Sequence, residues 1–335
     1  MAQLKWGLIG ASNIASGHMI AAMRATGGSV NTVLSSDAAR GIAYADENDI
    51  PHSTTDLDHL LARDDVNAVY ISTTNEKHKD QALAAIAAGK HVLCEKPLAM
   101  TVADAVAMVR AAQAAGVTFA TNHHLRNAGT HLAMREAVQA GRVGEVQAVR
   151  VFHAVYLPEH LQGWRLDNPA AGGGVIPDIV VHDADTVRFH LGEDPESVVA
   201  QDSVAGLGKG VEDSVMSAWQ MPSGALVQTH EGFTIRYAGS GFEIHGSEGS
   251  IIARNVMTQQ PIGTVVLRSA SGEEAISYSD HNLYERALTR FAEAVSGNGA
   301  PAATGVDGVK SLAVAAAVKE AATTGTRVTV DYGGI

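Results

Sequence analysis

Along the first third of the chain, short apolar and β-branched runs alternate with longer stretches whose apolar positions recur every three or four residues. The runs 6–9, 30–34, 68–72, 91–94 and 118–121 read as buried strands. The stretches 14–26, 38–48, 80–88 and 102–115 read as helices, with Gly27, Gly89 and Gly116 placed where C-terminal caps belong. Strand and helix in alternation form right-handed βαβ units over a parallel sheet, the doubly wound arrangement that binds nucleotides. After residue 122 the pattern changes. One helical stretch, 129–140, precedes a long strand-like run, 146–156. The runs 197–201, 213–220, 225–233, 241–245, 250–253 and 264–269 then follow, separated by Gly, Ser and Pro turns. They predict a large, mainly antiparallel open sheet. Helical spacing returns at 283–295 and 306–322. The pattern predicts an α/β protein: a nucleotide-binding Rossmann domain at 1–122 and an α+β substrate domain at 123–335, with helix 306–322 packing back near the first.

Composition narrows the partners. A length of 335 residues suits two cores, and 46% hydrophobic with 18% charged residues describes a globular chain. A formal charge of −12 argues against nucleic acid and anionic membranes, each of which needs a basic stripe, so a small molecule is expected. Cys94 is the only cysteine, which excludes an intrachain disulfide and a thiolate-rich zinc site and fits a reducing compartment. The N-terminus runs almost at once into an apolar strand without a cleavable signal, and no apolar stretch nears the ~18 residues of a membrane span. A cytoplasmic protein is the expectation. The open sheet of the second domain offers a face for a homo-oligomer.

Gly10, Ala11, Ser12, Asn13, Ile14 and Ala15 follow the first strand and open the first helix, the context of a dinucleotide fingerprint. Gly10 supplies the tight turn. Ser12 and Ala15 replace the second and third glycines, and the helix N-terminus contributes N–H groups and the positive end of its dipole. The second strand ends at Ser35 and Ser36, with Arg40 a turn further on; two hydroxyls and a guanidinium suit the 2′-phosphate of NADPH. Asp37 could serve NADH instead, by accepting from the ribose diol, but it also stands where an N-cap of the next helix belongs. NADPH is the preferred cofactor, with NADH second. Two further strand-end loops belong to the same crevice. Thr73, Thr74, Asn75 and His78 suit the nicotinamide ribose and pyrophosphate, and Asn122 precedes His123 and His124, which read as structural histidines rather than a metal pair.

Lys96 stands between Glu95 and Pro97 at the end of an apolar run. The proline disfavours helical dihedrals at the residue before it, and ligands of open α/β sheets collect where such strands end. Later, Gly172, Gly173 and Gly174 lead into a helix carrying Asp178 and His182 four residues apart. There Asp178 can orient a ring or a hydroxyl and His182 can move a proton. Asp185 adds a carboxylate, but no second histidine shares that face and no metal site is expected.

These motifs together, with Gly246-Ser247-Glu248-Gly249-Ser250 late in the second domain, resemble the Gfo/Idh/MocA family of NAD(P)-dependent sugar oxidoreductases over nearly the whole chain. The resemblance implies hydride transfer to a sugar ketone. In it His182 donates the proton, Lys96 polarises the carbonyl oxygen and orients the nicotinamide, and Asp178 fixes substrate and imidazole. The segments 73–76, 121–127, 151–158 and 160–166 are similar to one sugar-reducing branch of the family, which implies that Trp164, Arg165 and Tyr284 approach the cofactor. Many members carry glycine between the aspartate and the histidine where this chain has Val180, so the packing behind that helix face differs. A dehydrogenase of the inositol or glucose type is the alternative within the family. A non-catalytic NADP-binding sensor is the alternative outside catalysis, and it has no need of both Lys96 and His182.

Overall fold

The first apolar runs become β1 (Lys5–Ile9), β2 (Ser29–Leu34), β4 (Ala68–Ile71), β5 (His91–Cys94) and β6 (Phe119–Thr121), with a short β3 (His52–Thr54) between β2 and β4. A computed structural model of the chain describes residues 3–335. All six strands pair in parallel, in the order β3-β2-β1-β4-β5-β6. The change of direction falls at β1/β4, whose C-terminal ends carry Gly10 and Thr73. All four residues of β4 are buried, as a strand covered on both faces requires. The connecting helices are α1 (Ile20–Ala25), entered through a wide π-turn at Ala15–Met19, α2 (Ala38–Glu47), α3 (Leu57–Leu61), α4 (His78–Ala87) and α5 (Val102–Ala115). Capping follows the sequence: Asp37 accepts from Arg40 N–H at 2.7 Å, and Thr101 accepts from Asp104 N–H at 3.1 Å. The pattern gives no sign of β3 and α3, because His-Ser-Thr carries no apolar signal and five residues fall short of a helical period.

The second sheet has nine strands: β7 (Val146–Ala154), β8 (Ser197–Ser203), β9 (Ser214–Gln220), β10 (Leu226–Gly232), β11 (Gly241–Gly246), β12 (Gly249–Arg254), β13 (Thr264–Ser269), β14 (Gly272–Ala275) and β15 (Val328–Thr329). Their order is β14-β13-β12-β11-β7-β10-β9-β8-β15, antiparallel throughout except for β7 with β10. Alternation sorts the faces. Along β9, Val215, Ser217 and Trp219 are buried while Met216 and Ala218 are exposed. The helices of this part are α6 (Gly129–Gln139), the single turn α7 (Trp164–Asp167) and α8 (Val181–Leu191), the last packed on β7. Two longer helices follow, α9 (Leu283–Val295) and α10 (Gly305–Thr324).

By contact the chain divides into two units, one running to His124 and taking in Tyr284–Val309 and Ile335, the other comprising Leu125–Leu283 and Lys310–Gly334. The return of 284–309 to the first unit has visible causes. Phe291 of α9 lies 5.5 Å from the Trp6 ring, and Thr121 N–H donates to Ala303 O at 3.2 Å. Among the described residues, no helix is long and apolar enough to cross a membrane.

Candidate active site

In the first unit, Gly10 has φ +115°, and a Cβ there would lie 3.1 Å from the Ser72 carbonyl, so only glycine lets β1 turn this tightly past β4. Ser12 Oγ accepts from Ala15 N–H at 3.2 Å, starting the helix, and lies 2.7 Å from Ser72 Oγ, while the Tyr44 hydroxyl donates to Ser12 O at 2.9 Å. The turn is thus fastened from both sides. At the end of β2, Arg40 Nε donates to Ser35 Oγ at 3.2 Å; Ser36 and Arg40 are exposed. The Asp37 carboxylate is engaged in the cap of α2.

The loops after β4 and β5 are tied together. His78 is fully buried, with Nδ1 2.9 Å from Pro97 O and Nε2 3.2 Å from Thr73 O, and burial holds its pKa below the usual histidine value. Thr73 Oγ1 donates to Gln81 at 2.6 Å and Thr74 Oγ1 to Glu76 at 2.7 Å; Asn75 is buried beside them. Glu95 Oε1 collects the Tyr70 hydroxyl at 2.5 Å and Asn122 Nδ2 at 2.6 Å. Burial first, and then the Glu95 charge, push both Tyr70 and Tyr284 above the ordinary phenol range, so both keep their protons. The Tyr284 ring stacks on His18 at 4.9 Å and lies 5.7 Å from His124. Lys96, half-buried, follows Glu95 and is joined through a cis peptide bond to Pro97.

In the second unit the glycine run makes a close passage. Gly174 has φ +114°, and a Cβ there would collide with the Glu212 carboxyl. That carboxyl, its pKa raised by burial, accepts from Ile176 N–H at 3.2 Å and so caps the helix start. Asp178 lies in a π-turn, Ile176–Val180, ahead of α8, where the spacing predicts a regular helix. In such a turn four residues span less than a full rotation. Arg165 Nε meets Asp178 Oδ2 at 3.4 Å, and the Arg165 guanidinium lies 4.7 Å from the Trp164 ring centroid, a cation–π contact. The His182 ring lies 6.2 Å from that of His153, whose Nδ1 is 2.8 Å from Asp183 Oδ1. Asp185 is committed to Arg126 at 2.7 Å.

The residues anticipated from sequence therefore gather in two sets. Gly10, Ala11, Ser12, Asn13, Ile14, Ser35, Ser36, Arg40, Thr73, Thr74, Asn75, His78, Glu95, Lys96, Asn122 and Tyr284 belong to the first unit; Trp164, Arg165, Asp178 and His182 belong to the second. Sequence reading misses Tyr70, His153, Asp183, Glu212 and Glu231. The available signal is a polar or acidic side chain at a position the apolar pattern marks as internal. The first set fits a dinucleotide: the space beside Gly10 is one that a Cβ would fill, a helix opens there, and hydroxyls with a guanidinium stand at the end of β2.

Comparison with known proteins bears on the same residues. A model described as the oxidoreductase family with an NAD-binding Rossmann fold matches residues 4–123, and the GFO/IDH/MocA C-terminal domain matches residues 131–252. The chain belongs to the Gfo/Idh/MocA family. Among Gfo/Idh/MocA proteins it is 58% identical to 1,5-anhydro-D-fructose reductase of Ensifer adhaerens, over 98% of this chain and 99% of that one. It is 30% identical to myo-inositol 2-dehydrogenase of Thermotoga maritima, over 79% and 80% of the two chains. Among solved structures, aldose-aldose oxidoreductase from Caulobacter crescentus, in complex with glycerol, superposes with a TM-score of 0.90 at 25% identity, covering 98% and 100%. The family fold accounts for both the parallel sheet and the large mixed one.

Proposed function

We propose that this Gfo/Idh/MocA protein reduces the C2 ketone of 1,5-anhydro-D-fructose with NADPH, giving 1,5-anhydro-D-mannitol. The observation that carries the reading is identity of 58% along essentially the full length of the 1,5-anhydro-D-fructose reductase of Ensifer adhaerens. The sequence carries Lys96, Asp178 and His182, the set this chemistry needs. On this reading the nicotinamide cofactor, when bound, supplies the hydride that goes to the carbonyl carbon.

The protein's residues do the rest. The turn from Gly10 to Ile14 accepts the pyrophosphate at the helix N-terminus. Ser35, Ser36 and Arg40 take the 2′-phosphate, a choice supported by Asp37 being occupied as a helix cap. Thr73, Thr74, Asn75, Glu95 and Asn122 line the nicotinamide side, and His78 fixes the two loops they stand on. Trp164, Arg165 and Tyr284 are the further residues this reading assigns to the cofactor. Lys96 polarises the substrate oxygen as negative charge grows on it, His182 gives that oxygen a proton, and Asp178 orients substrate and imidazole.

The deciding experiment follows NADPH oxidation by absorbance against 1,5-anhydro-D-fructose and neighbouring ketoses. Turnover should be greatest with the anhydrosugar, and His182→Ala should lower it by about 10²-fold or more while NADPH still binds. Preference for another sugar or polyol would move the reading toward the inositol-type relatives, and binding of NADPH without consumption of any ketosugar would favour a sensor. The reading assigns the protein to the cytoplasm, consistent with its single, buried Cys94. It also gives the exposed sheet face bearing Val199, Met216 and Leu226 to pairing of two copies, which sedimentation would show as a dimer.

A further inference from the structure

Behind the His153 and His182 rings runs a buried polar chain that none of these roles uses. Strand register assembles it: in the parallel pairing of β7 with β10, His153 stands opposite Glu231, and between β10 and β9, Thr229 stands opposite Ser217. Trp219 Nε1 donates to Ser217 Oγ at 2.8 Å, and the Ser217 and Thr229 hydroxyls are 2.7 Å apart. Thr229 Oγ1 lies 3.1 Å from Glu231 Oε2. An indole N–H can only donate, so Ser217 Oγ accepts from Trp219, and at the far end Thr229 Oγ1 donates to Glu231 Oε2. At the other end Asp183 Oδ1 accepts from His153 Nδ1 at 2.8 Å.

That leaves one oxygen on each acid. Asp183 Oδ2 and Glu231 Oε1 are both buried without a donor from any other group, on side chains that are 0% exposed. Both acids meet His153, Asp183 through its hydrogen bond and Glu231 from the facing position on β10, and two neighbouring carboxyls away from water cannot both be ionised. Burial lifts both acids well above the usual range. The Asp183 charge lifts Glu231 further, while a proton offered by Glu231 favours the charged form of Asp183.

We propose that Glu231 stays protonated and donates from Oε1 to Asp183 Oδ2, so that the pair keeps one proton and positions His153, as its Nδ1–H form, beside His182. Asp183 then accepts two hydrogen bonds as the only anion of the cluster. His153 meets it from β7, with the His182 ring of α8 6.2 Å from the His153 ring, and the Thr229 hydroxyl reaches Glu231 from β10. Glu231 and Asp183 are positioning residues: they touch no reacting atom and act through His153 on the site assigned above to sugar reduction, a reading on which the catalytic half of the test rests.

The test has two arms. Infrared spectra of the protein near pH 8, where an ordinary carboxyl is ionised, should show the C=O stretch of a protonated carboxylic acid, and Glu231→Gln should remove it. The amide introduced by Glu231→Gln keeps an N–H donor toward Asp183, so that variant should lose less than about tenfold in kcat, whereas Glu231→Leu should lose about 10²-fold with KM for NADPH little changed. A wild-type spectrum with no band that Glu231→Gln removes would overturn the proposal, as would equal turnover of the two variants. The spectral arm uses no substrate and stands even if the leucine variant does not fold. A protein that shows the band yet reduces no ketosugar would leave the pair in place and refute the proposed function instead.

Discussion

At the scale of single residues, the proposed preference for NADPH rests on Arg40. It gives one N–H to Ser35 Oγ and stands exposed at the end of β2, where the adenosine ribose of a nucleotide belongs in this fold. Replacing it with Ala should weaken NADPH by about 10- to 100-fold, the worth of one or two charge-assisted hydrogen bonds, and leave NADH almost unaffected. Fluorescence titration with both nucleotides checks this, and an unchanged ratio would remove Arg40 from selection. Gly10, Ser12, Lys96, Asp178 and His182 are legible in the sequence because each belongs to a motif a few residues long. His153, Asp183 and Glu231 are not. Nothing local joins a histidine on one strand to a glutamate on another until the register of β7 on β10 is known, and that register is a tertiary fact.

At the scale of elements, alternating patterns mark the long strands and helices, and short polar pieces escape. All four residues of β14 are exposed, and β15 contributes only Val328 and Thr329 to the edge of β8, so neither leaves a hydrophobic imprint. The π-turn ahead of α8 escapes for another reason. Its sequence, Ile-Pro-Asp-Ile-Val, reads as ordinary helix, and the Glu212 cap that shapes its entry comes from a distant loop. Gly174 is the pivot of that entry. Gly174→Ala adds a Cβ in a left-handed backbone position and drives it into the Glu212 carboxyl. The variant should lose about 2 kcal/mol or more of stability from strain and the broken cap, measured by urea denaturation. A loss below about 0.5 kcal/mol would show that the loop re-forms without cost.

At the scale of the whole molecule, two buried sets of ionisable groups pull stability in opposite directions with pH. His131 and His190 face each other at 3.0 Å; burial lowers His131 to about 4 and holds His190 well below the usual range. Below about pH 6.5 the unfolded chain takes up protons that these folded histidines refuse, so their contribution falls as pH drops. Glu231 does the reverse: folded it keeps a proton that the unfolded chain releases above about pH 4.5, so its contribution rises as pH drops. Glu231→Gln deletes that second contribution. Relative to wild type, the stability of this variant should fall by about 1.4 kcal/mol for each pH unit of acidification from about 6.5 to 5, read from denaturant curves; parallel pH profiles would show Glu231 ionised in the native state.

The sheet order adds a consequence in time. Strand β7 lies at the centre of the second sheet, yet both its partners, β10 and β11, come ~70 residues or more later in the chain. During synthesis at about 5–20 residues per second, β7 therefore waits several seconds with two bare edges of N–H and C=O groups. For that interval the central strand of the finished sheet is a segment of the nascent chain open to pairing with the wrong neighbour.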